Sequence, residues 1–301
     1  MLLKRLCYAA LISLSILGCS FAGNAIAVNT THKIKQYDGN VEIPGALHRN
    51  PAVLVSAYHQ GAHGQRLNAA FHRVGPQLNK DIFTRIADKL EANDLIIRDL
   101  LGFGNSSKRM TADYRADAQA TRKHDLMQAK AIASITHVPG NSMGGAISVP
   151  YAAKLGKDVL SLCLVDSAGI WSAGIPKSLE GATLDYNGLQ INSNEHFYIK
   201  VDAGMPVPLA EPKMIQANHA IEGVKILCQD REILEIGVTP NVEEDAKTIA
   251  QLKIPTGVVW GDKDQIIKPE TVNLIKKIIP QAQVIMMEDV GHVPMVEALD
   301  E

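Results

Sequence analysis

The chain has 301 residues, 46% of them hydrophobic and 21% charged, an ordinary globular composition with apolar residues enough for a large core. Its formal net charge of -2 at pH 7 offers no basic face, which argues against nucleic acid as a partner. There is no long internal repeat or low-complexity tract, and the length suits one or two domains, including a single α/β domain with an insertion.

Residues 1–27 have the layout of a secretory signal peptide. Lys4 and Arg5 precede the apolar run Leu6 to Leu17, and small residues follow. The run is short for a membrane span. Ala25-Ile26-Ala27 fits A-x-A cleavage and would leave a mature chain from Val28. Ile16-Leu17-Gly18-Cys19 competes with it as a lipoprotein box, which would make Cys19 a lipid anchor. Leu17 is not the small residue usual there, which favours Ala27. On either reading the chain is exported, as a secreted or cell-envelope protein, the Cys19 form being an outer-membrane lipoprotein. Of the four cysteines, Cys163 and Cys228 lie clear of this region. Cys163 falls in an apolar run that reads as a buried strand, where a thiol behaves as a small hydrophobe. A Cys163–Cys228 disulfide is compatible with an oxidising compartment. No CxxC or clustered Cys/His spacing points to zinc, so no metal is expected.

The first predicted element is a hairpin. Residues 33–37 and 40–43 flank Asp38-Gly39, a pair suited to a tight two-residue turn. Ala52 to Val55 reads as a strand, and Ile82, Ile86 and Leu90 recur at helical spacing. Leu95 to Leu101 is a strand and Ala112 to Ala131 a polar-faced helix. Ile135 to Val138 is a strand, Gly144 to Leu155 a helix of small residues, and Val159 to Val165 a buried strand. This alternation from Ala52 to Asp166 argues for a mostly parallel sheet flanked by helices, an α/β fold. The pattern loosens over residues 169–250, which carry glycines, prolines and amphipathic stretches, as a helical cap insertion would. It resumes with strand Gly257 to Trp260, helix Glu270 to Ile279, strand Gln283 to Met287 and the turn Val290-Gly291-His292. Residues 28–168 and 251–301 thus form one core, interrupted by the cap at 169–250.

The run Gly140-Asn141-Ser142-Met143-Gly144 is G-x-S-x-G between a strand and a helix. A serine hydroxyl needs a base to take its proton, and the base needs a carboxylate to fix its tautomer. A tight strand-to-helix turn lifts the hydroxyl clear of the backbone, and only small residues fit where strand and helix then close together. The pattern alone arises by chance in about one chain in ten of this length, so its partners decide. Val258-Val259-Trp260-Gly261-Asp262-Lys263-Asp264 runs a strand into two carboxylates, and Asp289-Val290-Gly291-His292 runs a strand into a histidine. Serine, then acid, then histidine, each after a strand's C-terminal end, is the order and place expected of a hydrolytic triad on an open α/β sheet. Asp262 and Asp166 are lesser candidates for the acid, Asp166 reading better as a brace for its turn. Asp99, in Asp99-Leu100-Leu101-Gly102-Phe103-Gly104, reads as a loop organiser. That run lacks the spacing of a dinucleotide or P-loop cradle, and the chemistry needs no organic cofactor.

Ser142, Asp264 and His292, with the run Asp99 to Ser107, resemble the α/β-hydrolase family. The similarity is closer still to a branch of secreted bacterial lipases from cold-living Gram-negative genera. It is carried by GNSMGGAISV, LVDSAGIWSAGIPKSLEGATL and the run from Val258 to Glu301, and spans roughly Asn79 to Glu301 with the signal region. The resemblance implies an α/β-hydrolase fold and a Ser142 nucleophile, with His292 as base and Asp264 as acid, since W-G-x-x-D lands on Asp264. It also implies a carboxylic-ester hydrolase, a triacylglycerol lipase acting on lipid esters at a lipid–water interface through an acyl-enzyme. The oxyanion donors would be the N–H of Met143 and one from a loop between Tyr58 and Gly64, bracketed by the pair His63-Gly64. The cap residues Ile170, Trp171, Ile175, Leu179 and Leu184 would cover an acyl chain or serve as ordinary core.

Three features depart from the family pattern. Residues 56–78 match it poorly, Pro139 precedes the elbow where a strand residue would donate a ladder bond, and Glu301 falls early in the expected final helix, from which lower stability is expected. Two rival readings follow: a carbon–carbon bond hydrolase on the same fold, which GNSMGG also resembles, and a hydrolase-like binding protein impaired in its oxyanion loop.

Overall fold

The computed structural model describes residues 35–36, 41–43, 53–55, 57–60, 66–67, 94–101, 106, 112–129, 136–170 and 242–298. Among the described residues, ten strands run in chain order: β1 (Lys35–Gln36), β2 (Val41–Ile43), β3 (Val53–Val55), β4 (Ala57–Gln60), β5 (Arg66–Leu67), β6 (Asp94–Arg98), β7 (Thr136–Asn141), β8 (Val159–Val165), β9 (Thr256–Gly261) and β10 (Gln283–Met287). Eight form one sheet in the order β1-β4-β6-β5-β7-β8-β9-β10. Only β4 runs against its neighbours, and β6, β5 and β7 to β10 are parallel. The described helices are α1 (Ala116–Ala129), α2 (Met143–Leu155), α3 (Val242–Gln251), α4 (Thr271–Ile278) and α5 (Pro294–Glu297).

The expected hairpin does not form. β1 pairs with β4, and β2 pairs antiparallel with β3 in a separate two-stranded sheet. The Asp38-Gly39 signal is local, and strand pairing follows the partners that tertiary structure supplies. The helix expected over 82–90 lies outside the described residues, as do the signal region 1–27, Cys19 and Cys228.

The half of the sheet from β7 to β10 follows from apolar runs. Every residue of β9 is buried and so are six of the seven in β8, including Cys163, as strands covered on both faces require. β7 tolerates Pro139, which sits opposite Cys163 and whose carbonyl accepts the Ser148 hydroxyl at 3.2 Å. α2 lies at the centre, against α1, α3, β7 and β8. One apolar cluster joins Val138, Ile147, Leu164, Val258, Trp260 and Ile275. α3 begins inside the stretch expected as cap, yet its buried Val242, Ala246 and Ile249 belong to that same cluster. So does Ile170, which is core rather than acyl-chain cover. The chain reaches residue 170 and reappears at 242 in one place: a Cβ built on Gly169 would stand 2.9 Å from Val242 Cγ1. The other expected cap residues, Trp171, Ile175, Leu179 and Leu184, lie outside the described residues.

Candidate active site

Ser142 is the junction of β7 and α2, with φ 51° and ψ -124°. A non-glycine residue at such a φ is strained, at a typical cost of about 1–3 kcal/mol, and persists only where its surroundings hold it. Three backbone bonds do so. Ser142 N–H donates to the Val165 carbonyl, and Gly145 N–H and Ala168 N–H donate to the Ser142 carbonyl, all at 2.9 Å. Gly140 and Gly145 are steric necessities: a Cβ on Gly140 would collide with the Gly144 carbonyl and Ser148 Oγ, and one on Gly145 with the Ser167 side chain.

The strand ends bring the expected side chains together. Ser142 Oγ lies 2.8 Å from His292 Nε2, and His292 Nδ1 lies 2.7 Å from Asp264 Oδ2. A carboxylate oxygen only accepts, so Nδ1 carries the imidazole proton and Nε2 presents its lone pair to the serine hydroxyl. Asp264 is fixed by its second oxygen, which accepts the N–H groups of Ile266 at 2.8 Å and Ile267 at 3.0 Å. His292 is fully buried and Asp264 and Ser142 nearly so. Asp262 is not in the relay, since its carboxylate turns to Lys263 Nζ at 2.7 Å. Asp99 takes no part either; it is buried, and its carbonyl accepts the Ser106 hydroxyl at 2.9 Å. Met143 opens α2, where the first N–H groups of a helix lack intrahelical acceptors. His63 and Gly64 lie outside the described residues.

Two positioning residues escaped the sequence reading. Asn141 Nδ2 donates to the Val165 carbonyl at 3.2 Å and to the His292 carbonyl at 3.3 Å, tying β7 to the loop that carries His292. Glu297, on α5, accepts Gly291 N–H at 3.0 Å on one carboxylate oxygen and Val293 N–H at 3.2 Å on the other, clasping both sides of His292. Burial raises its pKa while those two amides hold it down. Its spacing of five after His292 was the available signal, but a carboxylate serving backbone amides has no motif of its own.

Asp166, Asp264 and His292 form a cluster of metal-ligand type among the described residues, with one donor atom from each inside 4.8 Å. Asp264 and His292 are already bonded to each other, so the arrangement is a hydrogen-bonded relay rather than an open coordination shell.

The model of the alpha/beta hydrolase fold family matches residues 62–195 and 204–299. The chain belongs to the α/β-hydrolase family. Among curated α/β-hydrolase relatives, it is 64% identical to Lipase 1 of Psychrobacter immobilis, covering 100% of this chain and 95% of that protein. It is 61% identical to Lipase 3 of Moraxella sp. (strain TA144), covering 100% and 96%. Of solved structures, a membrane phospholipase A described as a bacterial virulence factor aligns with TM-score 0.71 and 27% identity over 82% of this chain and 78% of that one. A meta-cleavage product hydrolase from Pseudomonas fluorescens IP01 aligns with TM-score 0.66 and 19% identity over 81% and 89%. The latter likeness shows the α/β-hydrolase fold alone, a fold that carries more than one chemistry.

Proposed function

We propose that the chain is a serine carboxylic-ester hydrolase, a triacylglycerol lipase acting on lipid esters outside the cytoplasm. The observation that carries this reading is the buried relay from Ser142 through His292 to Asp264, with links of 2.8 and 2.7 Å. The two relatives named lipases, each aligned over the whole of this chain, favour an ester over a carbon–carbon bond as the substrate.

In the proposed reaction Ser142 Oγ attacks the ester carbonyl as its proton passes to His292 Nε2. The Asp264 carboxylate stabilises the imidazolium, and the Met143 N–H, with a second donor proposed at His63 or Gly64, receives the oxyanion. The imidazolium returns its proton to the departing alcohol, leaving an acyl-Ser142. Water then attacks with His292 as base, and release of the fatty acid restores the serine. The segment 169–250 is proposed as the cap over the acyl chain. Residues 1–27 are proposed as the export signal, with cleavage after Ala27 favoured over lipidation of Cys19; the mass of the exported protein's N-terminus separates the two.

Ser142→Ala should lower turnover of p-nitrophenyl esters by ~10⁴-fold or more with an unchanged circular dichroism spectrum. Retained turnover overturns the reading. A vinylogous diketone turned over faster than the ester would assign carbon–carbon bond hydrolysis instead. Failure of Ser142 to take up a fluorophosphonate would mark an impaired binding protein.

A further inference from the structure

Asp166 is a buried acid for which the reaction above has no use. It follows β8, is fully buried, and holds a positive φ of 42°. Its Oδ1 accepts the Gly261 N–H at 2.9 Å, while among the described residues no group donates to its Oδ2. One oxygen of Asp166 lies within 4.8 Å of both an Asp264 oxygen and a His292 nitrogen. Two carboxylates so close and so dry do not both ionise.

The donors decide which of the two keeps the charge. Asp264 accepts three: the N–H groups of Ile266 and Ile267 and the imidazole Nδ1–H. Asp166 accepts one. Hydrogen bonds to a carboxylate favour its charged form, so Asp264 is the anion and the proton resides on Asp166. The bare Oδ2 fits that assignment. On a carboxylate it would be a buried acceptor without a donor, which is costly; on an acid it carries the hydrogen and turns it to Asp264.

We propose that Asp166 is a positioning residue of the triad, a neutral acid whose Oδ2–H donates to the Asp264 carboxylate while its Oδ1 anchors Gly261 N–H. This role rests on the Ser142 reading. Burial and then the charge of Asp264 push the Asp166 carboxyl well above the usual carboxylate range. The titratable groups that face it are Asp264 after β9, His292 after β10 and Glu297 on α5. With Asp166 neutral, His292 meets a single negative charge at its Nδ1, whereas a second charge there would favour the imidazolium over the free base.

The test is the pH profile of kcat/KM on a p-nitrophenyl ester, for the wild type, Asp166→Asn and Asp166→Ala. An asparagine amide reproduces the neutral acid, donating to Asp264 and accepting from Gly261. Its acid limb should superimpose on that of the wild type. Were Asp166 ionised, losing its charge would move the limb about one unit or more toward acid, and that displacement overturns the proposal. Asp166→Ala leaves Asp264 without its donor and should lower kcat about 10- to 100-fold with little change in KM, a loss that the asparagine mostly restores. A kcat of wild-type size in a folded Asp166→Ala would also overturn it. Should the alanine variant not fold, infrared difference spectra of wild type against Asp166→Asn decide: a protonated-carboxyl band at neutral pH is expected, and its absence overturns the assignment. Fluorophosphonate labelling of the wild type keeps the two claims apart. No labelling defeats the triad reading and this role with it, whereas normal labelling with a displaced acid limb defeats the Asp166 assignment alone.

Discussion

Two groups of ionisable side chains buried among the described residues are treated in opposite ways. Around Ser142, the oxygens of Asp264 and Glu297 and both nitrogens of His292 meet partners. Under α1 and α2, Arg98, Arg122 and Lys123 are just as buried. There Arg98 Nη2 reaches the Gln119 carbonyl at 3.3 Å, but among the described residues Arg98 Nε and Nη1, Arg122 Nη1 and Lys123 Nζ have no hydrogen-bond partner, and no ion pair joins these three basic side chains to a carboxylate. Lys123 Nζ stands 4.1 Å from the centroid of the Tyr151 ring, which offsets part of the loss of water. Burial holds Lys123 well below the usual lysine range, brings Arg98 down to about 9, and pushes Tyr151 up to about 12. Buried charge is useful where hydrogen bonds surround it and destabilising where they do not.

The largest break in this contrast comes from the triad. Asp264→Asn removes the charge that fixes the His292 tautomer and should lower kcat by ~10⁴-fold while the protein remains folded, as esterase assay and circular dichroism would show. An intermediate effect is expected at Glu297. Without its clasp the histidine loop loses the acceptors for Gly291 and Val293 N–H, and Glu297→Ala should cost about 10- to 100-fold in kcat, with Glu297→Gln, which keeps one acceptor oxygen, in between. The smallest effect has the opposite sign. Lys123→Met removes an unpartnered buried amine and should stabilise the fold by about 1–3 kcal/mol, read as a higher Tm with esterase activity retained. The pH dependence sharpens this last test. The folded chain keeps Lys123 neutral where the unfolded chain protonates it, so the unfolded state binds the extra proton. Wild-type stability should therefore rise with pH from the depressed lysine value up to the ordinary 10.5. The Lys123→Met variant should lose that part of the slope.

These two regions were unequally legible in the sequence. Strands β8 and β10 fall on the expected residues and β9 runs one residue further at each end. β8 and β9 are legible because runs buried on both faces are nearly all apolar, whereas β10 is a largely exposed edge strand whose apolar run Val284 to Met287 still reads as a strand. Ser142, Asp264 and His292 were legible because each sits just past a strand end in a fixed order. The cation patch was not. α1 reads as polar-faced, and its pattern does not reveal that Arg122 and Lys123 turn inward while Asp117 faces water. Asn141 and Glu297 were missed because they bond to backbone groups that only tertiary structure delivers. The second oxyanion donor was bracketed at His63-Gly64 from a residue pair alone. β5 begins after it at Arg66 and runs parallel to β7, with Leu67 opposite His137.

The meeting of Gly169 with Val242 bears on how such a protein diversifies. The chain leaves the described core at Ile170 and rejoins it at Val242, two members of one apolar cluster, so the two ends are held side by side whatever the length of chain between them, and a change of that length need not displace Ser142, Asp264 or His292.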